Sequence, residues 1–266
     1  MLPVIVGVPG MWHPASCFDD LAAILRERGH SFVGHDAPGI ASEDASQMTI
    51  DSDSDALRKD VLMPLVSQGK DIILPMHSYG GLYGSNAVQG LSKLERKSAG
   101  QQGGVVGLIY VTAVTPFLGK SLMDILGVTL DNLPPHCLYE ESTDRILLVH
   151  AERYMYHDLP EGTAEKWIST TKPQAFGSIN TPVSYSPLLD TYYAERSAYI
   201  LCGSDRILPL EAQKYLCGSA GITNTKLIEK ASHAPFANAL KETADAVDSL
   251  AKSSAQSCLE PSDGSH

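Results

Sequence analysis

The sequence predicts an α/β protein built on a mainly parallel six-stranded sheet, flanked by helices and carrying a helical cap. Short apolar runs alternate with helical stretches along most of the chain, the pattern of a parallel sheet with crossover helices. The runs are continuous instead of alternating apolar and polar, as strands buried on both faces require. The alternation breaks between Pro116 and Ser197, which places a long excursion between two core strands.

The first strand is expected at Val4–Val8, followed by an amphipathic stretch from Ser16 to Arg28 that stops at Gly29. Ser31–Asp36 is the second strand, and a polar loop rich in Ser and Asp leads to a helix over Asp51–Ser67. Asp71–Met76 and Val105–Thr112 are the third and fourth strands, with a helix over Leu82–Lys97 between them. Within the excursion, Pro134-Pro135 precede two predicted helices, Thr143–Tyr156 and Glu161–Thr170, and a loop from Thr171 to Pro187. Ala198–Gly203 and Thr225–Ile228 complete the sheet around a helix at Leu210–Leu216, and a last helix begins at Pro235 and ends near Leu250. The expected division is a core of residues 1–115 and 197–251, a cap and return loop at 116–196, and a disordered Ser-rich tail at 252–266.

A chain of 266 residues can bury one large core. Its formal charge of −11, without a long basic run, argues against nucleic acid or an anionic membrane as partner. Cys17, Cys137, Cys202, Cys217 and Cys258 are scattered without zinc-site spacing, so free thiols and no metal are expected. The start lacks the basic and long apolar character of a secretory signal, and no stretch is long enough to span a bilayer. Cytoplasmic residence is therefore expected. Gly103-Gly104 has neither a following Lys-Ser/Thr nor a G-x-G-x-x-G pattern, so no nucleotide cofactor is expected. The expected partner is a small-molecule substrate, and a homodimer is left open.

Met76-His77-Ser78-Tyr79-Gly80-Gly81 lies directly between a strand and a helix. Serine on such a tight turn is lifted above the sheet edge, and the glycines allow close backbone approach. Met76 replaces the first glycine of G-x-S-x-G, so the crowding it brings must be absorbed elsewhere. A serine nucleophile needs a base, and the base needs a carboxylate to fix its tautomer. Asp205, in Cys202-Gly203-Ser204-Asp205, and His233, in Ala231-Ser232-His233-Ala234-Pro235, each follow a predicted strand. The order Ser, Asp, His is that of serine enzymes whose nucleophile sits on a strand-to-helix turn. The oxyanion donors would be the backbone amides of Tyr79 and of Met11 in Pro9-Gly10-Met11-Trp12-His13.

Through these residues the chain resembles the α/β-hydrolase superfamily, in particular the group of plant methyl-ester esterases and hydroxynitrile lyases and related fungal hydrolases. The resemblance runs from Pro3 to Leu250 and includes His35-Asp36-Ala37-Pro38-Gly39 and the segment Tyr199–Gln213. It implies an α/β-hydrolase fold, Ser78 as nucleophile, Asp205 as acid, His233 as base, and amides at Met11 and Tyr79 for the oxyanion. Pro9-Gly10 stands where the family often has His-Gly, and Met11 replaces a usually small residue.

Trp12, Tyr79 and Phe236 flank catalytic candidates and are expected to line the substrate pocket, as is His157 from the cap. His77 should point away from the serine oxygen. His150 and His157 share a predicted helix face, but two ligands do not make a metal site. The expected chemistry is hydrolysis of a small apolar ester, thioester or lactone through an acyl-enzyme. The alternatives are a lyase or cyclase using the same three residues, and a slow-turnover receptor for a small ligand.

Overall fold

A computed structural model describes residues 2–257. Nine strands occur in it: β1 (Val4–Gly7), β2 (Phe32–Gly34), β3 (Asp71–His77), β4 (Gly104–Val111), β5 (Cys137–Glu140), β6 (Arg145–Leu148), β7 (Gln174–Ala175), β8 (Ser197–Cys202) and β9 (Asn224–Ile228). Six of them form one parallel sheet in the order β2-β1-β3-β4-β8-β9. Every residue of β1, β4 and β8 is buried, as their unbroken apolar runs require. The edge strand β9 is mostly exposed, and Lys226 on it discourages pairing with another chain.

The chain runs from β1 outward to β2 and then returns to the other side of β1 as β3. Strand order therefore reverses between β1 and β3, and a crevice opens at their carboxyl ends. The loop Pro9–Pro14 follows β1, and Ser78 follows β3, so both meet at that crevice. Parallel register carries the same edge across the sheet, with His77 opposite Val111, Val111 opposite Ile200, and Cys202 opposite Ile228.

Helices cover the sheet with some departures from expectation. The predicted helix over Leu82–Lys97 is two, Gly80–Ala87 and Lys93–Ser98, interrupted where Gly90 takes φ +69°. The last helix runs from Leu240 to Ser257, so residues 252–257 are helical where a disordered tail was expected. Burial of Ala251 and the Lys252–Asp248 ion pair at 2.9 Å continue its amphipathic pattern beyond Leu250. The rest of that expected tail lies outside the described residues.

The cap is not wholly helical. Short helices at Leu122–Leu126, Glu161–Ile168 and Phe176–Asn180 accompany a three-stranded antiparallel sheet, β5-β6-β7. The predicted helix over Thr143–Tyr156 is instead β6 followed by a single turn at Ala151–Tyr154. Asp144 at φ 52° closes a turn that pairs Arg145 with Glu140, and the apolar run Ile146-Leu147-Leu148 then zips onto β5. The Arg145 guanidinium donates to the carbonyls of Gly39, Ser42 and Pro173, which ties this hairpin to the core.

Among the described residues, no helix is long and apolar enough to cross a membrane, no group of side chains is arranged to hold a metal, and the cysteines are free thiols.

Candidate active site

Ser78 takes φ 51°, a left-handed backbone that costs a non-glycine residue about 1–2 kcal/mol. Neighbouring hydrogen bonds hold it there. Its amide donates to the Val111 carbonyl at 3.3 Å, and its carbonyl accepts from Gly81 at 3.0 Å and Val114 at 3.1 Å. Gly10 passes so close that a Cβ there would lie 2.7 Å from Ser78 Cβ, a separation no side chain tolerates. The Pro9–Pro14 loop can thus approach the serine only through glycine.

Met76 is fully buried, and its crowding is relieved one turn into the following helix. A Cβ on Gly84 would stand 2.8 Å from the Met76 sulfur and 3.1 Å from its Cγ. The glycine missing from the strand side of the motif is supplied on the helix side.

Three elements bring Ser78, His233 and Asp205 into one hydrogen-bonded chain. Ser78 Oγ lies 2.9 Å from His233 Nε2, and His233 Nδ1 lies 2.7 Å from Asp205 Oδ2. An acceptor at Nδ1 requires the proton there, which leaves the Nε2 lone pair facing the serine. Asp205 is buried, and burial opposes its ionisation. His233, Thr112 and the Leu208 amide outweigh that effect and hold its carboxyl below the usual range. Oδ2 also accepts from Thr112 Oγ1 at 2.6 Å, while Oδ1 accepts from the amides of Ile207 at 2.7 Å and Leu208 at 2.9 Å.

Two further buried histidines brace this chain without joining it. His77 points away from the serine oxygen, and its Nε2–H donates to the His233 carbonyl at 2.6 Å. Burial, with His233 and His13 nearby, pushes its pKa well below the ordinary histidine value, so it stays neutral. His13 Nδ1–H donates to the Met11 carbonyl at 2.9 Å, and its Nε2 accepts from Tyr156 at 2.7 Å. Burial lowers its pKa to about 4, against a smaller opposing effect of the Met11 bond.

Among the described residues, the backbone amides of Met11 and Tyr79 donate to no backbone or side-chain acceptor. Trp12 holds the Met11 loop against the cap. Its indole N–H donates to the Ile146 carbonyl at 3.0 Å, its own carbonyl accepts from the Lys172 amide at 2.8 Å, and its φ is 66°.

Above Ser78 lies an apolar cavity. Met11, Trp12, Val114, Met123, Ile146 and Leu208 are among its walls, and its lining contains no Lys, Arg, Asp or Glu. The polar side chains on it are Ser78, His233 and His136.

Of the expected pocket residues, only Trp12 lines this cavity. Phe236 lies behind the site, with its ring against His13, His77, Phe18 and Trp167. His157 turns to its own turn of chain, with Nδ1 3.2 Å from the Tyr154 carbonyl, because the helix expected to aim it inward is a single turn. The Tyr79 side chain also leaves the site, donating to buried Asp53 at 2.7 Å and to the Ser178 carbonyl at 3.2 Å. Sequence reasoning missed Thr112 and His136. The position of Thr112 at the end of a core strand was a usable signal, whereas His136 has none outside the folded cap.

The family model for the "Alpha/beta hydrolase family" matches residues 5–246. The chain belongs to the alpha/beta hydrolase family, and it is an enzyme. This hydrolase is 27% identical over 210 residues to the alpha/beta hydrolase nvfD of Aspergillus novofumigatus, covering 78% of this chain and 80% of that one. Among solved structures, polyneuridine aldehyde esterase superposes with a TM-score of 0.74 at 18% identity, covering 94% of the hydrolase and 99% of the esterase. Tomato methylketone synthase I, complexed with 2-tridecanone, gives 0.75 at 17% identity, covering 95% and 99%. Likeness at these identities concerns the fold.

Proposed function

We propose that this hydrolase cleaves an apolar carboxylic ester through an acyl-enzyme on Ser78. The observation that carries this reading is the continuous chain from Ser78 Oγ through His233 to Asp205, opening into an apolar cavity. His233 Nε2 takes the proton as Ser78 Oγ attacks the ester carbonyl. Negative charge develops on the carbonyl oxygen, where the Met11 and Tyr79 amides receive it. Each donor of this kind contributes about 3–4 kcal/mol in the transition state. The imidazolium, stabilised by Asp205, returns the proton to the leaving alkoxide, and the alcohol departs. Water then attacks the acyl-enzyme with His233 as base, releasing the acid and restoring the Ser78 hydroxyl.

A lining without Lys or Arg suits this chemistry. Release of an anion such as cyanide would draw on a cation beside the leaving group, whereas acyl transfer is served by backbone amides. Esters accepted by the site are therefore expected to be uncharged and predominantly hydrocarbon. The test is labelling with a fluorophosphonate followed by intact-mass analysis. One adduct, located at Ser78 and suppressed in His233→Ala, is expected together with turnover of short para-nitrophenyl esters. Absence of both adduct and turnover would refute the reading.

A further inference from the structure

The cavity contains one polar side chain that the proposed mechanism leaves unused. Ser78 and His233 bond to each other, and the Trp12 indole is engaged by Ile146. His136 also lines the cavity, yet among the described residues neither of its ring nitrogens has a hydrogen-bond partner in the protein. Only 7% of the residue is exposed, and its two ring nitrogens are not sealed in the protein interior, so they reach the open space of the cavity. In ligand pockets lined mainly by apolar groups, the few polar ones set orientation and specificity.

The side chain is also well placed. His136 follows Pro134-Pro135, and its carbonyl accepts from the Val149 amide at 2.9 Å, which anchors the backbone at the root of β5. Its ring meets Trp12 edge-on, with centroids 6.2 Å apart, and leans on Tyr154 at 5.4 Å. These rings fix the imidazole from two sides and leave its nitrogens to the cavity.

We propose that His136 is a substrate-recognition residue, hydrogen-bonding a neutral oxygen substituent, a hydroxyl or a ketone, on an otherwise hydrocarbon ester. This rests on the ester-hydrolase reading above. A neutral partner follows from the chemistry of the cavity. Burial, with His233 close by and Asp205 partly opposing, lowers the His136 pKa to about 4, so the ring is uncharged at neutral pH. A neutral imidazole offers one N–H and one lone pair, which suit a hydroxyl or ketone, whereas a carboxylate would be desolvated without a compensating cation. The neighbouring Cys137 thiol is a weak donor, and burial pushes its pKa up to about 12, so it competes poorly for the same oxygen.

The experiment uses para-nitrophenyl octanoates bearing a hydroxyl or a ketone at successive chain positions, each compared with unsubstituted octanoate and normalised to its spontaneous hydrolysis. In wild type, kcat/KM for at least one substituted ester should exceed the reference about tenfold, the value of one net hydrogen bond. His136→Phe should bring that ratio close to one, and His136→Gln should keep part of it. Fluorophosphonate titration counts the folded active sites in each variant. No advantage at any position in wild type would overturn the proposal, whether or not the variants fold. An advantage that persists in His136→Phe would overturn it too. If no ester turns over, binding of the same esters to Ser78→Ala separates the two readings. A preference for the oxygenated ester, lost when His136→Phe is added, would sink the hydrolase reading alone, and equal binding would sink the recognition proposal.

Discussion

Thr112→Val tests how the carboxylate of the relay is kept ionised inside the protein. Asp205 is buried, so its charge rests on four donors: His233 and Thr112 on Oδ2, and the Ile207 and Leu208 amides on Oδ1. Valine keeps the β-branch while deleting one donor, at 2.6 Å. A hydrogen bond to a charged group contributes about 1.5–3 kcal/mol, so its loss raises the Asp205 pKa from its depressed value. The folded-state pKa of Asp205 is depressed, so its contribution to stability is present above the ordinary carboxylate value of about 4 and is lost as pH falls through the folded value. The variant should therefore be less stable by about 1.5–3 kcal/mol at pH 7, with the deficit shrinking as the carboxyl titrates at acid pH. Urea unfolding of both proteins, from pH 7 downward, reads this difference directly. A deficit below about 0.5 kcal/mol, or one of equal size at every pH, would refute the reasoning, because it would assign the loss to packing and not to charge.

Asp205→Asn should lower kcat about 10^4-fold with a folded protein, since the amide favours the wrong imidazole tautomer; circular dichroism and kinetics together check it, and near-normal turnover would move the role to another carboxylate. Gly10→Ala should force the loop or Ser78 aside, because the new methyl would fall 2.7 Å from Ser78 Cβ and 2.8 Å from His77 Nδ1. Its kcat/KM should drop about 100-fold, as misplacement of reacting groups does. Retention of activity in Gly10→Ala would show that the loop has room to spare.

The inner strands β1, β3, β4 and β8 were legible because burial on both sheet faces leaves an apolar run, the edge strands β2 and β9 because they continue the alternation with helices, and Ser78, Asp205 and His233 because each follows a strand. The cap was less legible. Ile146-Leu147-Leu148-Val149 fits a strand or a buried helix equally well, and only pairing with β5 decides between them. His157 was misplaced as a consequence, since its direction depended on that helix. The Tyr79 and Phe236 side chains lie near Ser78 and His233 in sequence but pack away from them. His136 reaches the cavity from a segment whose course is set by contacts distant in sequence, such as the edge of Trp12.

The contact between Met76 and Gly84 makes the two positions sterically interdependent. From an ancestor with glycine on the strand and a larger residue on the helix, gaining the methionine first creates a collision, and gaining the helix glycine first opens a void. A lone Met76→Gly reversal now would leave the void, and a lone Gly84→Ala change would restore the collision, with the methionine sulfur 2.8 Å from the new methyl. The reachable order of substitutions therefore depends on which intermediate the surrounding core can bear. A search keyed to glycine at the first motif position would pass over this chain, although Gly84 provides on the helix side the space that glycine would leave on the strand.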